Sequence, residues 1–289
     1  MQVAVIGLGQ MGLAFAERLL MSGHDVCGCD PDAERRAALG ELGGEALASP
    51  VDVDRDSLVI TSLPAASALE EVAASLAGVD RGGQLIVDTS TLSVEDKRQA
   101  ARVVAEVGAV LLDATVSGTP DSVRAGKLAL YASGDQQTWL SAEPVIRAFA
   151  AHARYVGEFG NAALLKLICN HLVAVHNVAT AEAMSLAVSA GFDPELVYDV
   201  VRDGVASSRV WELRGRMVVD RDYRTGKSSL RIAQKDGALI DDLARQAGAV
   251  IPLFALAREM HQGAIASGLG NSDPAALFEY YRRFATPAA

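Results

Sequence analysis

The stretch Met1-Gln2-Val3-Ala4-Val5-Ile6-Gly7-Leu8-Gly9-Gln10-Met11-Gly12 decides the fold. Residues 3–6 are a short apolar run of the kind that forms a buried strand, and the segment that follows keeps helical spacing as far as Gly23. A strand that runs into G-x-G-x-x-G and then into a helix is a dinucleotide-binding fingerprint. Gly7 allows the tight turn, Gly9 lets the backbone approach a pyrophosphate, and Gly12 lets the helix pack on the strand. Leu8, Gln10 and Met11 complete a turn whose unpaired N–H groups and positive dipole end face the phosphates. Asp30 follows at the end of a second strand, where an acid suits the adenosine ribose hydroxyls. A carboxylate there repels a 2′-phosphate, so NAD is expected ahead of NADP, with Arg35 and Arg36 nearby to soften the preference.

Working outward, short β-rich runs at 25–30, 58–62, 85–88, 109–113, 128–132 and 154–156 alternate with Ala-, Glu- and Arg-rich helical segments. Strand–helix alternation implies parallel strands joined by crossover helices, an α/β Rossmann-type doubly wound sheet. After Gly157 the pattern changes. Residues 160–190 contain no proline and no interior glycine, a helix of about 45 Å at helical rise. Asp193-Pro194 opens another helix, 237–248 and 252–267 continue the pattern, and Ser272-Asp273-Pro274 caps a last helix over 275–284. The expected organisation is a dinucleotide-binding domain over 1–158 and an all-α substrate and dimerisation domain over 159–289.

Composition agrees. The 289 residues are 50% hydrophobic and 21% charged, an ordinary globular balance. A net charge of -10 gives no chain-wide footprint for nucleic acid. The N-terminus lacks a basic region and a small-residue cleavage site, and the long apolar stretch is broken by Lys166, Asn170, His171, His176, Asn177 and Glu182. Neither a signal peptide nor a membrane span is expected. Cys27 and Cys29, two apart on a strand, would lie roughly 7 Å from one another, too far for an unstrained bridge, and a reducing cytoplasm is expected.

Further polar motifs fall at strand ends and on the long helix. Leu63-Pro64 and Thr91 lie just past two strands, where such sheets bind ligands, although each also reads as a plain turn. Asp113-Ala114-Thr115-Val116-Ser117-Gly118-Thr119 is a strand entering a polar loop whose amides and Ser117 hydroxyl suit a carboxylate, or serve the turn alone. Lys166 and Asn170 share one helix face among Leu164, Leu165, Leu167 and Ile168, so the lysine either works there or snorkels to solvent. His171 and His176 are five apart and off the i, i+4 face, so no metal site is expected. Gln234-Lys235-Asp236-Gly237 reads either as a functional motif at a helix start or as a solvated ion pair.

Taken together and in order, these motifs resemble the β-hydroxyacid dehydrogenase family, which includes 3-hydroxyisobutyrate dehydrogenases and tartronate semialdehyde reductases. The resemblance spans Gly7 to the last helix. It matches the family's G-L-G-x-M-G at Gly7–Gly12, D-x-P-V-S-G-G at 113–119 and K-D-L at 235–237, and loosely matches its lysine–asparagine helix at 161–171, with Lys166 and Asn170 in register. It implies an NAD(P)-dependent oxidoreductase that interconverts a small 3-hydroxy acid and its semialdehyde. By the same likeness, Lys166 is general acid and base, and Asn170 orients the substrate. Ser117, Gly118 and Thr119 hold its carboxylate, while Leu63, Pro64, Thr91 and Lys235 reach the nicotinamide. A free lysine titrates at about 10.4, so burial or a nearby cation would have to lower it for this work. The long helix would be a dimer contact, in a homodimer or homotetramer. Thr115 stands where the family usually has Pro, Thr119 replaces the second Gly, His171 the second Asn and Gly237 the Leu. Arg209, near Trp211, falls in a region that lines the substrate in relatives; it suits a second anionic group, or is a surface arginine beside Glu212. Imine reductases share this architecture but generally lack a lysine at 166 and carry Asn-Arg in place of Asp30-Pro31. A non-catalytic scaffold of the same fold would have shed Lys166, Asn170 and Ser117.

Overall fold

The computed structural model describes residues 1–224 and 228–285. The chain divides into two compact units, Met1–Lys166 and Leu167–Ala289.

In the first unit the described strands form one eight-stranded sheet. They are β1 (Gln2–Ile6), β2 (Asp25–Cys29), β3 (Glu45–Ala46), β4 (Leu58–Thr61), β5 (Leu85–Asp88), β6 (Val110–Ser117), β7 (Ala129–Ser133) and β8 (His152–Tyr155). Their order is β3-β2-β1-β4-β5-β6-β7-β8, so the strand order reverses between β1 and β4, beside the glycine turn. Alternation along the strands builds the layers. Val3 and Val5 face α1 (Gln10–Met21) and α6 (Gln136–Phe149) in one cluster with Phe15, Leu19, Ile146 and Phe149. Ala4 and Ile6 join the opposite cluster with Leu69 and Leu76 of α3 (Ala66–Leu76) and with Ala100 and Val104 of α4 (Val94–Ala105). Residues buried on both sides explain why these strands read as continuous apolar runs.

Two expectations need correction here. The sheet is not parallel throughout: β6 and β7 are antiparallel, Ser117 opposite Ala129. Their link holds one short helix, α5 (Pro120–Arg124), and folds back as a hairpin where a crossover would need a full-length helix. In addition β6 runs on through Ser117, so the Asp113–Ser117 segment is paired strand, and the loop starts at Gly118. The two-residue β3, flanked by glycines, carried too little pattern to be read in advance.

The second unit is helical. It contains most of α7 (Asn161–Ser189), then α8 (Pro194–Arg202), α9 (Arg216–Asp220), α10 (Leu230–Ala247), α11 (Pro252–Ala264) and α12 (Leu277–Arg282). Asp193 caps α8 through Glu195 N, with Pro194 at the first helical position, and Ser229 caps α10 through Ile232 N. Its core joins Val178, Met184, Tyr198, Trp211, Leu230 and Phe278. A smaller cluster joins Leu167, Ile240 and Phe254. The segment 211–220, a π-turn at Trp211–Gly215 leading into α9, gave no helical signal in the sequence reading. The last helix is shorter than expected, a 3-10 turn at Pro274–Ala276 followed by α12.

Helix α7 is long and apolar enough to cross a membrane by length and composition alone, a test that core helices of globular units also pass. Its polar residues Asn177, Thr180 and Ser185 are buried, whereas Leu165, Ile168, Leu172 and Leu186 are exposed. Cys27 and Cys29 are free and buried on β2, and burial pushes the Cys29 thiol up to about 12, which keeps it an unreactive core residue.

Candidate active site

At the end of β1, Gly7 takes a positive φ of 90°, and a Cβ there would run into the Ser62 carbonyl. A Cβ on Gly12 would overlap the Gly7 carbonyl oxygen, so only glycine lets α1 start this close to the strand. Gly9 is the N-cap of α1, with no side chain hydrogen-bonded at that cap. A Cβ on Gly9 would have 4.0 Å of clearance to the nearest atom, on Arg35. The turn thus presents a bare helix N-terminus to open space, the arrangement that receives a pyrophosphate. Gln10 is exposed and Met11 packs against the core.

Asp30 ties this turn to the end of β2. Its Oδ2 accepts from Leu8 N at 2.8 Å and its Oδ1 from Asp32 N at 2.9 Å. Arg35 Nη1 lies 3.4 Å from the same carboxylate, and Arg36 Nη1 donates to the Asp30 and Pro31 carbonyls at 2.6 and 3.0 Å. Each carboxylate oxygen keeps acceptor capacity beyond these bonds. Glycine turn, open helix end and acid together fit a dinucleotide.

The ends of β4 and β5 carry the next two predicted positions. Leu63 N donates to Ser90 Oγ at 3.0 Å, and Ser90 Oγ donates to Asp88 Oδ1 at 2.6 Å. Pro64 is exposed and Thr91 half-buried, just beyond these strands. Thr61 Oγ1 also donates to Asp88 Oδ1, at 2.7 Å. Asp88 faces Lys97, whose Nζ lies 2.9 Å from Asp88 Oδ2 and donates to Asp113 Oδ1 at 2.7 Å, with all three side chains fully buried. Sequence reasoning missed this cluster. A signal existed: Lys97, Ala100 and Val104 fall at i, i+3 and i+7, the buried stripe of α4.

Asp113 leads to the start of α7. Its Oδ2 accepts from Ser133 Oγ at 3.0 Å and from Ala163 N at 3.0 Å. Ser133 Oγ accepts from Gly160 N and Ala162 N at 3.2 and 3.0 Å, and Thr115 Oγ1 donates to the Ala162 carbonyl at 2.8 Å. The first turn of α7 is therefore fixed on β6 and β7, and half-buried Lys166 follows one turn later. Ser117, half-buried, ends β6; Gly118 follows with φ 150°, and a Cβ on it would overlap Ser122 Oγ. Thr119 N donates to Ser122 Oγ at 2.7 Å, so Thr119 opens α5 as its N-cap.

In the second unit, Asn170 Nδ2 donates to Asp236 Oδ2 at 2.9 Å. Lys235 Nζ sits 3.6 Å from the other oxygen of Asp236. The 234–237 motif lies inside α10, not at a helix start as expected, because α10 begins at Leu230. Of the two readings of this motif, the solvated ion pair leaves out the Asn170 amide that Asp236 holds. Arg209 is 79% exposed and paired with Glu212 at 2.5 Å, the surface alternative of its two readings. His171 stacks on Phe254 at 5.2 Å. No group of three or more His, Cys, Asp or Glu able to hold a metal occurs among the described residues.

With this geometry in hand, residues 2–157 match the NAD-binding domain of 6-phosphogluconate dehydrogenase. Residues 160–281 match the family described as NAD-binding of NADP-dependent 3-hydroxyisobutyrate dehydrogenase. The chain belongs to the β-hydroxyacid dehydrogenase family. Among the family's members, L-threonate dehydrogenase of Cupriavidus necator is 32% identical, covering 96% of this chain and 95% of its own. Mitochondrial 3-hydroxyisobutyrate dehydrogenase of Rattus norvegicus is 27% identical over 97% and 87%. The crystal structure of 3-hydroxyisobutyrate dehydrogenase from Salmonella typhimurium superposes with a TM-score of 0.88 at 29% identity, covering 97% and 99%. Imine reductase from Pseudomonas sp., with a TM-score of 0.62 at 23% identity over 96% and 98%, shares the fold. As a β-hydroxyacid dehydrogenase, the chain is an NAD(P)-dependent oxidoreductase acting on the CH–OH group of a hydroxy acid.

The Gly12 contact sets a direct test. Gly12→Ala should push α1 off the turn and weaken binding of reduced cofactor at least tenfold, read by fluorescence titration. Binding of wild-type strength would mean that the turn yields without loss.

Proposed function

We propose that this enzyme interconverts a small 3-hydroxy acid and the corresponding semialdehyde or keto acid, with Lys166 as the group that moves the proton. The observation that carries this reading is the fixed start of α7, which presents Lys166 from the same unit that holds the glycine turn and Asp30. When bound, the nicotinamide accepts a hydride from the alcohol carbon in oxidation and returns it in reduction. Lys166 Nζ takes the hydroxyl proton in the first direction and gives it back in the second. The Ser117 hydroxyl and the Gly118 amide bind the carboxylate, without a fixed counter-charge, while the Thr119 amide is already engaged by Ser122. Asn170, its amide held by Asp236, orients the reacting oxygen. The reading does not use Arg209, which Glu212 already engages. L-Threonate and 3-hydroxyisobutyrate, named in the relatives, head the substrates to assay.

Lys166→Ala should lower kcat by about 10² or more while the cofactor binds with unchanged affinity. Near-normal kcat in that variant would overturn the assignment. Turnover of neutral alcohols as fast as of hydroxy acids would overturn the carboxylate anchor.

For the cofactor, NAD is the proposed preference. The Asp30 carboxylate at the end of β2 disfavours a 2′-phosphate, and Arg35 is partly neutralised by Asp30 and Asp32. The ratio of kcat/KM for NAD to that for NADP should exceed tenfold, and Arg35→Ala should widen it. Equal values, or a lead for NADP, would mean that the two arginines outweigh the acid.

A homo-oligomer, dimer or tetramer, in a reducing cytoplasm completes the reading. It is supported by the exposed apolar residues Ile168, Leu172 and Leu186 on α7 together with Leu196 and Val200 on α8, and by the unbridged, buried thiols of Cys27 and Cys29. Sedimentation equilibrium should return at least twice the chain mass, whereas a monomer would refute this part.

A further inference from the structure

Lys97 has no role in the chemistry above, yet its ammonium is fully buried between two carboxylates. Burial is the largest single effect on it and opposes the charge, but Asp88 and Asp113 together outweigh burial and hold the ammonium above its ordinary range. Packing alone gives no reason for such a group, since apolar residues of similar volume fill a core at lower desolvation cost. The bonds that leave the cluster supply a reason. In one direction Asp88 Oδ1 takes Ser90 Oγ, which in turn takes Leu63 N, in the turn assigned to the cofactor. In the other, Asp113 Oδ2 takes Ala163 N directly and Ser133 Oγ, which collects Gly160 N and Ala162 N. Two backbone segments far apart in sequence are thereby keyed to one ammonium.

We propose that Lys97 is a positioning residue for hydride and proton transfer: through Asp88 and Asp113 it fixes the Leu63–Ser90 edge and the first turn of α7 relative to each other, and with them Lys166. The inference rests on the proposed role of Lys166. Misplacement of a reacting group by about 1 Å costs on the order of a hundredfold in rate, so a fixed spacing between these segments has a kinetic value that packing alone lacks. Thr115 adds a second, uncharged tie to the same turn through the Ala162 carbonyl.

The test uses Lys97→Met combined with Asp88→Asn. The pair leaves the net charge of the cluster unchanged and keeps an acceptor oxygen for Thr61 and Ser90. Ser90→Ala, which cuts the link from Asp88 to Leu63 and leaves the buried charges in place, carries the test should the double variant fail to fold. Exchange should then accelerate at 61–64 with a fall in kcat, and no change in either would overturn the inference. In the double variant kcat should fall about 10- to 100-fold while KM for acid and cofactor stays within about twofold. Amide hydrogen exchange should accelerate at 160–166 and 61–64, with α1 unchanged. Unchanged exchange at 160–166, unchanged kcat, or parallel loss of kcat and cofactor affinity would overturn the inference. Lys166→Ala keeps the two readings apart: retained kcat there defeats the proton-transfer role, whereas a normal exchange pattern in the Lys97 variants defeats the positioning role alone.

Discussion

The Asp113 carboxylate takes bonds from three elements of the first unit: Lys97 on α4, Ser133 on β7 and Ala163 at the start of α7. All three residues are buried, and two of them have further partners: Lys97 lies against Asp88, and Ser133 Oγ accepts from Gly160 N and Ala162 N. Placing an ammonium and two carboxylates in a dry interior is costly, and removing one member of such a set typically destabilises a protein by about 3–5 kcal/mol. The set carries one excess negative charge, and the positive end of the α7 dipole lies where it offsets that charge. The same carboxylate therefore ties β6 to β7 and fixes the helix that leads to Lys166. Stability and the proposed catalytic geometry meet here in one group.

The cofactor end uses the same economy. Asp30 holds Leu8 N and Asp32 N, so the acid proposed to bind the ribose also pins the glycine turn to β2. A ligand reaching this carboxylate meets a group already fixed in direction, which lowers the ordering cost of binding. The backbone supplies most of the cradle: Gly7 and Gly12 are set by clashes that any Cβ would cause, and Gly9 by open space. Steric demand at Gly7 and Gly12, open space at Gly9 and one acid define this turn.

That local character is why the first half was legible in sequence. The fingerprint, the strand runs and the long helix each depend on neighbours a few residues apart, and the boundaries 160–190 and 161–189 differ by one residue at each end. What the sequence hid depends on partners far along the chain. The antiparallel return of β7 follows from a short connection whose helix α5 is five residues long. Lys97 looks like a solvated lysine until Asp88 and Asp113 converge on it across nine and sixteen residues. Asp236 looks like half of an ion pair until Asn170 is brought to it from sixty-six residues away. Period and propensity carry no information about such encounters.

The departures from the family pattern take on a different meaning in this light. They lie in sequence beside the residues that the resemblance assigns to the substrate and the nicotinamide. Thr115, where proline is usual, donates its hydroxyl to the Ala162 carbonyl, a bond that proline cannot make. His171, where a second asparagine is usual, stacks on Phe254 in the small core cluster of the second unit. Gly237, where leucine is usual, is buried under Arg258: even a Cβ would come within 3.3 Å of the guanidinium, which is itself paired to Asp241. Each change is matched by a partner inside its own unit. Three of the four departures are thus explained by packing within their own unit, and the fourth, Thr119, starts α5 as its N-cap where the family has its second glycine.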